Sequence, residues 1–84
     1  MRRRQYASPN VKGLIDKLYR LIHVRALGKF FKAHKPSVDD DIEKTIAKLL
    51  LEGIHPGLVH YEVGEAEASG RRLVEGLRPP KGKS

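Results

Sequence analysis

The side chains of this sequence with the clearest chemical meaning are its lysines and arginines, and what they offer is neutralisation of phosphate. Lys12, Lys17, Arg20, Arg25, Lys29, Lys32 and Lys35 recur through the first part of the chain, with Asp16 the single acid among them. Arg2, Arg3 and Arg4 precede this series, and Arg71, Arg72, Arg78, Lys81 and Lys83 close the chain. Cations in this arrangement bind a polyanion by displacing its condensed counterions, which gives affinity without reading bases. Tyr6, beside the arginine run, and Phe30-Phe31, between Lys29 and Lys32, are aromatic groups of the kind that stack on bases, although such residues more commonly join a core.

Other chemistry finds little support. His23, His34, His55 and His60 share no metal-ligand spacing, and the chain has no cysteine, so thiolate zinc sites and disulfides are excluded. His34, in the run FKAHK, reads better as a phosphate or base contact than as a ligand. The run Asp39-Asp40-Asp41 offers oxygens to a divalent ion, but acids at a helix start are explained more simply as complements to the helix dipole. No nucleophile elbow or nucleophile–base motif is legible, and Gly64 to Gly70 lacks the Gly-Lys-Ser/Thr ending of a phosphate loop. The expectation is therefore a protein that is not an enzyme, with no metal, cofactor or small-molecule substrate.

The charge is segregated. The formal net charge over 84 residues is +7. Residues 1–35 carry ten Lys/Arg against one acid, residues 36–70 two against eight, and residues 71–84 five against one. A solvated surface usually mixes signs, so basic ends around an acidic middle suggest an oriented contact with an anion, the acidic block repelling nucleic acid or docking a basic neighbour. With one methionine, Gln5 and Asn10 as the sole representatives of the thermolabile types, the composition leans towards a thermophilic source. No apolar run approaches the roughly 20 residues of a membrane span, and no apolar segment follows Arg2-Arg3-Arg4 as a secretory signal requires. A cytoplasmic protein without membrane contact is expected.

One domain, residues 8–77, must position these groups between a basic arm (1–7) and a basic tail (78–84) in which Pro79-Pro80 prevents helix. Ser8 is an N-cap with Pro9 at the first helical position. Val11, Leu14, Ile15, Leu18 and Ile22 follow at helical spacing. Val24, Leu27 and Phe31 then point to nearly the opposite side, which predicts a break near His23–Arg25 and two helices, about 9–22 and 24–34. Ser37 reads as the N-cap of a further helix over 38–52, with Ser37-Val38-Asp39-Asp40 resembling a capping box, Val38, Ile42, Ile46, Leu49 and Leu50 as its stripe, and Gly53 as its stop before Pro56. Beyond Pro56 the alternation of Val59, Tyr61 and Val63 predicts a strand over 58–63. Residues 65–77 admit two readings. Ser69-Gly70 can be a hairpin turn with Glu67 opposite Arg72, or Ala66, Leu73, Val74 and Leu77 can share a helix face with Glu67 pairing Arg71. The hairpin is preferred, because a lone strand leaves its hydrogen bonds unmade.

Three helices followed by a hairpin resembles the winged-helix arrangement. The stretch IAKLLLEGIHPGLVHYEVGEAEASGRRLVEGL, residues 46–77, is similar to its third helix, first wing strand, glycine-containing wing tip and return strand. The resemblance implies an α+β domain and, in DNA-binding members, a third helix that enters the major groove by its N-terminal part. Here that part carries Asp39, Asp40, Asp41 and Glu43, which phosphates repel, so the resemblance bears on fold more than on DNA.

The expected function is that of a small structural RNA-binding protein of a ribonucleoprotein. A ribosomal protein is the favoured form, contacting rRNA phosphates through the first helix and both tails, with neighbouring ribosomal proteins as further partners. A winged-helix DNA-binding or transcription-associated protein, and a small adaptor that uses its acidic block against another protein, are the alternatives.

Overall fold

The computed structural model describes Tyr6 and residues 8–78, and all of its regular structure is helical. Helix α1 spans Pro9–Phe30, α2 spans Pro36–Leu51 and α3 spans Pro56–Leu77. The expected α+β, winged-helix-like fold is overturned: residues 58–77 form neither strand nor hairpin but most of one helix.

Each helix begins at a proline, whose missing N–H and preset φ suit the first helical position. For α1 the Ser8 hydroxyl accepts the Val11 N–H, as its cap position predicts. The expected break near His23–Arg25 is absent, and α1 runs unbroken for 22 residues, about 33 Å. His23 and Arg25 project to either side of the inward stripe and bond to α3, while Val24 stays on the solvent side. The backbone thus continues through the phase change in the sequence. For α2 the Ser37 cap is also corrected. Pro36 starts the helix, Lys35 occupies the cap position without a side-chain bond, and Ser37 falls inside the first turn. For α3 the cap is His55, whose Nδ1 accepts the Gly57 N–H at 2.9 Å.

Helices α1 and α2 close with the same motif. At Gly53 (φ 90°) the Ile54 N–H bonds to Leu49 and the Gly53 N–H to Leu50. After α1 the Ala33 N–H bonds to Gly28 at 2.7 Å and the Lys32 N–H to Lys29. These pairs satisfy carbonyls that a helix end leaves orphaned, and both need a left-handed residue. In the second case that residue is Lys32, at φ 57°.

Helix α1 is central. Val11, Ile15, Leu18 and Ile22 form its buried stripe, met by Ile42 and Leu49 of α2 and by Val59 and Ala66 of α3. Full burial of a Leu or Ile contributes about 1.5–3 kcal/mol, so Leu18, Ile22 and Leu49 anchor the bundle. Thr45, also buried, returns its hydroxyl to the Asp41 carbonyl at 2.8 Å and leaves no orphan. Asn10 bonds Glu52 and Arg25 bonds Asp39, so α2 runs antiparallel to α1. Tyr19 meets Glu62, Arg25 meets Glu67 and Ala26 meets Gly70, so α3 runs parallel to α1.

The strand expected at 58–63 fails for a physical reason. The inward positions of α3 are Val59, Glu62, Ala66 and Gly70, a helical spacing hidden by a carboxyl and a glycine. Gly70 is not a turn residue. A Cβ there would stand 3.2 Å from the Ala26 methyl, so glycine lets α1 and α3 approach.

Candidate nucleic-acid interface

The outward face of α1 carries the first group of cations. Lys12, Lys17 and Arg20 are exposed. Lys17 and Arg20, three residues apart, share a shallow groove of about 220 Å³ floored by Leu21 and Val24. From Lys12 to Arg20 the helix rises about 12 Å, enough to span more than one phosphate of a strand that carries a charge per roughly 3.4 Å. Among the described residues the lysines and arginines in ion pairs are Arg25 and Arg78. Lys12, Lys17 and Arg20 are in none of these pairs.

Arg25 is placed differently from its neighbours in the sequence series. Its guanidinium bridges Asp39 of α2 at 3.4 Å and Glu67 of α3 at 3.0 Å. Asp39 also accepts from His34 Nε2 at 2.8 Å. The hydrogen bond from His34, with that from Arg25, holds the Asp39 carboxyl below the usual aspartate range, partial burial opposing them. The His34 Nδ1 atom is buried with no partner among the described residues. Arg25 thus ties the three helices together, with His34 bonded to the same Asp39. Glu67 takes Arg25 rather than Arg71 or Arg72.

Two features escaped the sequence. Glu62 is 2% exposed, and its carboxyl accepts the Tyr6 hydroxyl at 2.7 Å and the Tyr19 hydroxyl at 3.0 Å. Tyr6 is thereby anchored through its hydroxyl to α3. His23 Nε2 lies 3.0 Å from the Ser69 hydroxyl, and burial depresses the imidazole pKa. This Ser–His contact sits in mid-helix, where backbone N–H groups are spent on helix bonds and cannot form an oxyanion hole. No local signal betrays either feature, since the partners lie 43 to 56 residues apart.

A second cationic group surrounds the finishing ends of α1 and α3. Lys29, Arg71 and Arg78 line a groove of about 370 Å³ with Ala26, Phe30, Val74 and Glu75. Lys32 in the turn, Lys35 before α2 and Arg72 on α3 are exposed nearby in sequence but do not line it. Arg2, Arg3, Arg4, Lys81 and Lys83 lie outside the described residues. The charge blocks also acquire a meaning. Asp39, Glu52, Glu62 and Glu67 of the acidic middle all bond to residues of α1 or its flanks, so much of that block serves as the inner counterpart of the basic helix.

Among the described residues no group of three or more His, Asp or Glu converges as a metal site. No described helix is long and apolar enough to cross a membrane. No protein-family model matches this chain, and searches of curated proteins and of solved structures likewise return no match.

Proposed function

We propose that this protein is a structural RNA-binding component of a cytoplasmic ribonucleoprotein, in its most specific form a ribosomal protein, and that it is not an enzyme. The observation that carries the reading is the outward face of α1, where Lys12, Lys17 and Arg20 stand exposed and outside any ion pair among the described residues. Two acids of the neighbouring helices, Asp39 and Glu67, pair with Arg25, so Asp16 is the one acid that α1 itself sets among these cations. The three free cations position the protein on phosphates, release counterions and read no base. Arg2–Arg4, Lys81 and Lys83 add charge at the two ends. The DNA alternative loses support, because its third helix was to be flanked by a wing that the fold does not have.

Titration of the full chain against a structured RNA tests this. Log K is expected to fall with log salt at about 0.7 to 0.9 per phosphate contacted. Replacing Lys12, Lys17 and Arg20 with alanine is expected to flatten that slope by roughly two to three units. A salt-independent affinity, or a triple variant that binds as the parent does, removes the electrostatic mechanism. Tighter binding to duplex DNA than to RNA under the same salt would transfer the reading to DNA.

A further inference from the structure

Along α3 the inward stripe Val59, Glu62, Ala66 and Gly70 continues at the same spacing to Leu73 and Leu77, yet these are 44% and 50% exposed. Opposite Gly70 stands Ala26, and α1 ends one turn later at Phe30. The helix thus outruns its partner, and beside the overhang lies the groove walled by Phe30 and Val74 and rimmed by Lys29, Arg71, Glu75 and Arg78. Phe31, 62% exposed, packs edge-on against Phe30 at 4.9 Å between ring centroids.

We infer that this groove is a pocket for one unpaired nucleotide, its base lying against Phe30 and Val74 and its phosphate held by Lys29 and Arg71. The inference deepens the RNA reading and rests on it, but concerns a different face from Lys12, Lys17 and Arg20. Charge selects the occupant. Three cations face Glu75 and the finishing ends of α1 and α3, each worth about half a negative charge, which leaves roughly one positive charge, the complement of one phosphate. Size agrees. At about 370 Å³ the groove is at the small end of ligand pockets. An acidic amphipathic peptide helix, about 10–12 Å across, needs a longer and more positive trough. Unpaired RNA is recognised in this way, by a base on an aromatic or arginine plane and a phosphate on a cation. Glu75, whose carboxylate lies 3.8 Å from Arg78, supplies an acceptor for a base amino group.

The test follows backbone amide shifts and affinity of the full chain with two probes, a short unpaired oligoribonucleotide of mixed sequence and a blunt RNA duplex. The unpaired probe is expected to move the amides of residues 26–31 and 71–78. Phe30→Leu, which keeps the apolar volume and removes the ring, should weaken it by about tenfold while leaving the duplex affinity unchanged, and Arg71→Glu, which is exposed, should weaken the unpaired probe by about tenfold more than it weakens the duplex. The alanine triple at Lys12, Lys17 and Arg20 should weaken the duplex instead. If both groove variants bind the unpaired probe as the parent does, the pocket is refuted whatever the triple shows. If a Glu/Leu-rich peptide moves these amides and the oligoribonucleotide does not, the occupant is a protein and the inference is overturned. If the groove variants lose the unpaired probe while the triple keeps the duplex, the pocket stands and the phosphate role of α1 fails.

Discussion

Where α1 and α3 meet in their earlier turns, a carboxyl is sealed from water and held by neutral donors: Glu62 takes the hydroxyls of Tyr6 and Tyr19. Where the same helices approach their ends, charged groups pair half exposed: Arg25 spans Asp39 and Glu67, and His34 bonds to Asp39 as well. The first region closes with Gly53 in the left-handed turn, the second with Lys32. The first buries its stripe, and the second leaves Leu73, Leu77 and Phe31 in water. Buried hydrogen-bonded groups are costly to disturb, whereas exposed ion pairs are screened and weak. One region is thus arranged for cohesion, and the other leaves charge and apolar surface exposed.

The widest gap should appear on deleting one side chain from each region. Glu62→Ala is expected to lower stability by about 3 kcal/mol, since it opens a cavity and removes the buried acceptor of two tyrosine hydroxyls. Arg25→Ala should cost no more than about 1 kcal/mol, because its partners remain in contact with water. Denaturant midpoints decide this, and equal losses would abolish the contrast. The two turns give a smaller, opposite pair. Gly53→Ala should destabilise by about 1 kcal/mol and Lys32→Gly should stabilise by up to about 1 kcal/mol, as the left-handed backbone penalises a side chain in both places. Thermal melts of both variants check the signs, and a loss at Lys32→Gly would mean that the lysine side chain has a compensating contact.

The smallest effects are in pH. Burial lowers the His23 pKa below its ordinary 6.5, so as pH falls the unfolded chain takes the proton first. Stability that is complete above about 6.5 is then lost until the folded imidazole protonates, and His23→Gln should flatten that loss. Asp39, lowered chiefly by its bond from His34, contributes stability above its ordinary 3.8 that disappears as pH falls through the depressed folded value. Asp39→Asn should flatten the acid limb alone. Stability curves from pH 8 to 2 separate the two windows, and a single merged limb would put the acid sensitivity elsewhere.

Local rules carried the reading of α1 and α2 a long way. Ser8-Pro9, the stripe Val11–Ile15–Leu18–Ile22 and the stop at Gly53 are settled by spacing, capping and backbone preference among near neighbours, and they recur in the fold. The Ser37 cap failed because Pro36 is the better first residue, a competition between adjacent positions that sequence pattern ranks poorly. In the candidate interface the exposure of Lys12, Lys17 and Arg20 was legible, since each lies off the apolar stripe, but the pairing of Arg25 with Asp39 and Glu67 was not.

What the sequence by itself determined is the basic outer face of α1, the core stripe of that helix with Ile42 and Leu49 of α2 (though not the burial of Thr45 or the 43% exposure of Leu50), and the absence of cysteine chemistry. These depend on residue type and on neighbours within a turn or two. Only the tertiary structure decided that residues 56–77 are one helix. Its inward face includes Glu62 and Gly70, which a sequence pattern counts as polar and as a turn. Each makes sense through a distant partner: Glu62 through Tyr6 and Tyr19, Gly70 through Ala26. A carboxyl belongs in a core only when donors arrive to meet it, and a glycine belongs in mid-helix when another helix must come close. Both conditions are set by α1 and its flank, more than forty residues earlier in the chain.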